Sequence, residues 1–199
     1  MMKKTFRFRP IHEITLPALT GVLLALAFPT ISLSYLAFVA WVPLLILIEG
    51  RSKWESFRLG WLTGVFFFGI LIYWLNHVTI PGYVLLIFYA GLYPAVFCLI
   101  FSRLKLSPKM RPLWGGLLWV SLEYIRSAGC LAFTWGLMGH TQWKTLPLAQ
   151  SASWWGVYGI SFLIMATNIC LLEIFLSRRR GRTFHNTWLW PLALLVATI

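Results

Sequence analysis

The sequence predicts an all-α, polytopic transmembrane bundle of about seven helices, and three observations predict it. Apolar runs recur almost end to end. Only 11% of residues are charged, against 59% hydrophobic, with a mean hydropathy of +0.77. The basic residues fall in short clusters between alternate apolar runs. A soluble domain covers its surface with roughly 25% charged residues, so a chain of 199 residues with this composition has lipid as the solvent for most of its side chains.

Seven apolar segments follow in order, at 14–28, 33–48, 59–78, 83–101, 113–124, 154–176 and 188–199. The third, fourth and sixth approach the ~20 residues that a spanning helix needs. The first two are shorter and are joined through Phe28-Pro29-Thr30-Ile31-Ser32, whose proline and hydroxyl residues mark a tight turn, so they read as a helical hairpin. The fifth is expected to run past Glu123. The seventh stops at the chain end after Pro191 and reads as truncated. In the third, Gly60 and Gly64 form a small-xxx-small pair, expected to serve ordinary helix packing within the protein.

The charges assign a topology. Lys3, Lys4, Arg7 and Arg9 precede the first segment; Arg51, Lys53 and Arg58 lie between the second and third. Arg103, Lys105, Lys109 and Arg111 separate the fourth and fifth, and Arg178, Arg179, Arg180 and Arg182 separate the sixth and seventh. If every segment spans, these fifteen of the 17 basic residues share one side. Positive charge stays inside, which places the N-terminus in the cytoplasm. Only Arg126 and Lys144 fall on the other side. A formal charge of +12 would suggest nucleic acid in a soluble protein, but no basic-aromatic soluble module is present, so no nucleic-acid partner is expected. Lys3-Lys4, an apolar run and Ala25-Leu26-Ala27 also have the layout of a signal peptide; Phe28-Pro29 directly after them speaks against cleavage.

One connection stands apart. The outer loop, about 127–153, carries Phe133-Thr134-Trp135, Met138-Gly139-His140 and Gln142-Trp143, with Trp154-Trp155 just beyond. A loop this long, rich in aromatics and almost uncharged, is expected to lie at the membrane interface, partly re-entrant or capping the helices. Just before it, Glu123 and Arg126 are spaced i, i+3 on one helix face. Two readings of them stand together: an ion pair that orders the loop, and an Arg126 that contacts a lipid phosphate. His140 has no carboxylate or nucleophile at motif distance and reads as a loop histidine bonded to backbone. Asn76-His77, after Tyr73-Trp74, is expected to sit at the interface, and His12 and His185 mark no site.

Catalytic machinery is not visible. With five Glu and no Asp, most acid-base and metal chemistry lacks its parts, so neither a cofactor nor a metal site is expected. Cys98 and Cys170 lie in apolar runs as small hydrophobes, Cys130 lies in the loop, and three cysteines give no disulfide framework.

Several stretches together resemble a known family. They are Leu26-Ala27-Phe28-Pro29, Val42-Pro43-Leu44, Gly64 to Gly69 leading to Tyr73-Trp74-Leu75, and above all an ordered series that opens with Glu123-Tyr124-Ile125-Arg126. The series continues through Phe133-Thr134-Trp135, Gly139-His140-Thr141-Gln142 and Pro147-Leu148 to Gly156-Val157-Tyr158-Gly159-Ile160-Ser161-Phe162. Over nearly its whole length the chain resembles the membrane portion of the apolipoprotein N-acyltransferases, which complete bacterial lipoprotein maturation. The resemblance implies seven helices ahead of a nitrilase-like domain whose Glu-Lys-Cys triad takes an acyl chain from a membrane phospholipid as a thioester. The triad then passes that chain to the α-amine of an apolipoprotein's diacylglyceryl-cysteine. No triad residue carries over to this sequence, so residues 1–199 are expected to be a helical module, a fragment or split half inactive alone, acting with a nitrilase-like domain in trans. Glu123, Arg126, Trp135 and Gln142 match the family motif and are expected to be scaffold or lipid-contact residues of the substrate-binding region. The rival expectation is a small non-enzymatic lipid-binding protein or transporter. The position of all five Glu near helix ends disfavours coupled ion transport.

Overall fold

Apolar runs without water must satisfy their own backbone groups, and the helix does so within one segment. A computed structural model describes residues 10–181 and Pro191, and among these every regular element is helical, with no strand. The elements are α1 His12–Ala27, α2 Val42–Ile48, α3 Lys53–Leu71, α4 Ile80–Phe101, α5 Arg111–Arg126, α6 Leu146–Gln150 and α7 Ala152–Arg179. Short 3-10 turns occupy Ser34–Phe38, Tyr73–His77 and Met138–Gln142. The α4 and α7 helices are long and apolar enough to cross a membrane. The predicted seventh segment lies, apart from Pro191, outside the described residues. The chain forms two units, one of Met1–Ala25 with Pro43–Leu104, the other of Leu26–Val42 with Lys105–Ile199.

In the first unit, α3 starts on a capping box. The Ser52 hydroxyl accepts from the Glu55 N–H at 3.3 Å, and the Glu55 carboxylate accepts from the Ser52 N–H at 2.9 Å. Hydrogen bonding to Ser52, from its side chain and its backbone N–H, holds the Glu55 carboxyl below its ordinary pKa. Arg51 pairs with Glu13 at 2.6 Å and Arg58 with Glu13 at 2.9 Å, which fixes the start of α1 against that of α3. The cap moves the start of α3 upstream of the expected 59. Its end comes at Leu71, because the chain tightens there into the Tyr73–His77 turn instead of continuing to 78. Along α4, Thr79 caps and Pro81 sits in the first turn, where its missing N–H costs no helical bond. The α3 and α4 backbones meet at glycine: a Cβ on Gly64 would fall 2.6 Å from the Gly91 Cα, and one on Gly60 2.5 Å from the Pro94 carbonyl oxygen. The small-residue pair therefore packs within the protein, as its spacing suggested. Val84, Leu85, Phe88 and Leu92 leave an apolar face of α4 exposed.

In the second unit the turn after α1 closes with Ser32 at φ +65° and with the Leu33 N–H on the Leu26 carbonyl at 3.0 Å. The expected single segment 33–48 is broken. Pro43 has no N–H to return to Val39, and the Trp41 N–H goes instead to the Asn168 Oδ1 at 3.0 Å. What remains in this unit is a 3-10 turn; the seven-residue α2 that follows belongs, from Pro43 on, to the first unit. The α5 helix does run past Glu123, ending at Arg126. It packs along α7, where a Cβ on Gly116 would lie 2.8 Å from the Phe162 ring. Arg111, in the first turn of α5, pairs with buried Glu173 of α7 at 2.5 Å. The loop 127–153 is more ordered than its sequence announced, since it contains both the Met138–Gln142 turn and α6.

Candidate functional site

The polar side chains of the second unit gather where α5 ends, and each is placed there by an element already described. Glu123 and Arg126 share a face of the last turn of α5, and both are buried, at 1% and 2% exposure. A carboxylate and a guanidinium removed from solvent need partners on every side. Arg126 finds them in the loop: Nη1 donates to the Trp135 carbonyl at 2.5 Å and Nη2 to the Gly136 carbonyl at 3.2 Å. Two adjacent carbonyls present themselves to one guanidinium because Gly136 turns the chain at φ +79°, a left-handed conformation that favours glycine. The Phe133 N–H closes the same turn onto the Arg126 carbonyl at 2.7 Å.

Glu123 fastens the next stretch. Its Oε1 accepts from the Met138 N–H at 2.8 Å. The Ser161 hydroxyl on α7 accepts from the Gly139 N–H at 2.8 Å. Carboxylate, hydroxyl and two consecutive amides thus knit α5, the loop and α7. Gly139 is seated so close to the Val157 backbone that no side chain fits there. Gln142 extends the clamp: its Nε2 donates to the Ser34 carbonyl at 2.9 Å and to the Thr141 hydroxyl at 2.8 Å, while its Oε1 accepts from Thr145 at 3.3 Å. The Trp41 indole N–H reaches the Met138 sulfur at 3.3 Å, and its ring meets Trp119 edge-on at 4.6 Å. Asn168, in the middle of α7, accepts from the Trp41 N–H and donates to the Ala37 carbonyl at 2.8 Å.

These residues fall within 20–170, the stretch that matches the family profile described as Apolipoprotein N-acyltransferase N-terminal domain. The chain belongs to the apolipoprotein N-acyltransferase family. It is 38% identical to the Apolipoprotein N-acyltransferase of Geobacter metallireducens over 176 residues, covering 83% of this chain and 34% of that protein. Its likeness to the one from Chlorobaculum tepidum is 30% over 174 residues (82% and 32%), and to the one from Thermotoga maritima 30% over 197 residues (88% and 38%). The chain therefore spans about a third of the length of the curated relatives it matches.

In this acyltransferase-family chain, Glu123, Arg126 and Gln142 come together in one buried clamp, and Trp135 joins it through its carbonyl while its ring is 54% exposed. Sequence reasoning missed Trp41, Met138 and Asn168 as members. Only Asn168 gave a signal, an amide inside an apolar run. His140 lies at the exposed edge of the loop, where desolvation and the Arg126 charge hold it below the ordinary histidine pKa. Cys98 and Cys170 are buried, and Cys130 is exposed after α5. The arrangement is suited to fixing backbone, since its buried charges are directed at carbonyls and amides of the loop.

Proposed function

We propose that the chain is the multi-pass helical module, over residues 1–199, of a bacterial inner-membrane lipoprotein N-acyltransferase, with its N-terminus in the cytoplasm and about seven spans. The donor is a membrane phospholipid, the acceptor an apolipoprotein, and the nucleophile resides in a nitrilase-like domain acting with this module. Within it, Glu123, Arg126 and Gln142 hold the 127–153 loop in one conformation, and the exposed ring of Trp135 contacts lipid. The observation that carries this reading is the clamp itself. A buried carboxylate and guanidinium at the end of an apolar helix are costly to keep, and here both fasten a single loop in the part of the chain that the family shares. The exposed apolar face of α4 supports the lipid environment, and the one-sided basic clusters support the orientation. Family membership tells against the rival carrier reading.

The test is reconstitution. The chain in phospholipid vesicles, given a diacylglyceryl-cysteine peptide, transfers no acyl group by itself and does so when a nitrilase-like domain of the family is supplied in trans. Arg126→Ala lowers that rate without changing membrane insertion. Acyl transfer by the chain alone, or an unchanged rate in Arg126→Ala, overturns the proposal.

A further inference from the structure

Beyond the clamp, the chain from Trp143 to Trp155 leaves the packed part of its unit. Of this stretch only Leu148 is fully buried, while Trp143, Leu146, Trp154 and Trp155 are exposed, Trp154 to 87%. From Ile160 onward α7 is buried along its inner face. The change happens at Gly156, whose φ of +66° and ψ of −178° break the helix between Trp155 and Val157. That backbone region is essentially closed to residues with a side chain. Nothing lies within 4 Å of where a Cβ would sit, so glycine is required at Gly156 for its backbone and not for space. Across the break Trp154 stands clear, while the half-exposed Trp155 ring lies over Gly159 and its indole N–H donates to the Ser151 hydroxyl at 3.3 Å.

What this elbow presents is chemically specific. Indole rings carry a broad apolar body and a polar N–H, which suits the boundary between headgroups and acyl chains. Lys144, exposed, has its ammonium 4.9 Å above the Trp143 ring. A cation beside an apolar ring matches a phosphodiester beside an acyl chain. No exposed carboxylate lies in this stretch to oppose it. Between the rings lie exposed Gln150 and half-buried Ser151, both polar and uncharged.

We infer that the Trp143–Trp155 elbow, tilted by Gly156, lies in the headgroup layer of the outer leaflet, with its indoles below the phosphates and Lys144 among them. The inference rests on the multi-pass reading above, so the experiment carries its own control. Spin labels are placed at Trp154→Cys and, separately, at Leu85→Cys on the exposed face of α4, both in a Cys130→Ser chain in phosphatidylglycerol–phosphatidylcholine nanodiscs. Collisions with oxygen and with a water-soluble nickel chelate report depth. The expected result is a Leu85 label deep in hydrocarbon and a Trp154 label at the headgroup–acyl boundary, reached more by oxygen than by nickel. Adding Gly156→Ala shifts the Trp154 label toward water and leaves the Leu85 label in place. A hydrocarbon-facing Leu85 label with a water-facing Trp154 label overturns the inference alone. If both reagents are excluded at Trp154, another protein surface covers the elbow and the inference is equally overturned. Two water-facing labels overturn the multi-pass reading and the inference with it.

Discussion

The two units differ in what they bury between their helices. In the first, α3 and α4 meet at glycines, and the buried hydroxyls of Ser56 and Thr63 bond back to the carbonyls of Ser52 and Leu59 in their own helix. In the second, among the described residues, lie every buried carboxylate, guanidinium and side-chain amide, namely Glu123, Arg126, Gln142, Asn168 and Glu173. Lipid is as apolar as a leucine side chain, so burial alone does not drive helices together in a bilayer. Close backbone contact and interhelical hydrogen bonds take its place. The first unit relies mainly on close glycine contact and keeps its ion pairs at the partly exposed starts of α1 and α3. The second buries its charges and amides. Shape tolerates sliding along a smooth contact, whereas a carboxylate bonded to one particular amide fixes a single register. The unit that must immobilise a long loop is the one that carries the polar set.

The largest expected effect tests that division directly. Arg126→Ala leaves the Trp135 and Gly136 carbonyls without their donor and the Glu123 charge without its neighbour. Breaking a buried charged set costs about 3–5 kcal/mol. Hydrogen exchange at the Met138 and Gly139 amides should accelerate sharply while exchange within α3 and α4 is unchanged. Arg126→Lys should recover little, since a single ammonium does not reproduce a planar fork aimed at two carbonyls. Unaltered protection at Met138 would mean that the loop is held by packing and that the contrast between the units is false.

How much of this was written locally can be seen residue by residue. The i, i+3 spacing of Glu123 and Arg126 put them on one face, and the glycine spacing of Gly60 and Gly64 put small residues on another; both carry through to the structure because each depends only on helical periodicity. The break at Val39–Trp41 was legible only in part: Pro43 marks it, but the group that takes the Trp41 N–H is Asn168, 127 positions away in the chain. The kink at Gly156 was hidden for another reason: a tryptophan pair followed by an apolar run has the composition of a continuous helix. The clamp's partners were the least legible, because Arg126 and Glu123 bind backbone groups of Trp135, Gly136 and Met138, and a backbone amide has no sequence signature.

A smaller effect is expected in the first unit. Gly64→Val places branched carbons where the Gly91 Cα and the Pro94 ring already lie, at 2.6 and 3.1 Å from the new Cβ. Overpacking of this sort costs about 1–3 kcal/mol. It should lower the unfolding midpoint in nanodiscs and separate α3 from α4 in cross-linking, with the Met138 and Gly139 amides still protected. If loop protection falls as well, the units do not hold themselves together independently.

The smallest effect is a pH dependence that should divide the same way. His140, in the second unit, has a folded pKa below its unfolded value of about 6.5, so protonation favours the unfolded chain. Stability is whole above that pH and declines as pH falls toward the folded pKa, then levels off. Glu55, at the start of α3 in the first unit, is likewise depressed, by its bonds to Ser52. Its contribution is whole above about pH 4.3 and drains only below that. Acid should therefore loosen the loop before it loosens the α3 cap. Hydrogen exchange corrected for intrinsic rates checks the order, with a first limb opening below about pH 6.5 at Met138 that His140→Gln removes and a second below about pH 4.3 at Glu55 that Ser52→Ala weakens. A single limb common to both regions, or a first limb that survives His140→Gln, would show that protons act on the chain as a whole and not through these two groups.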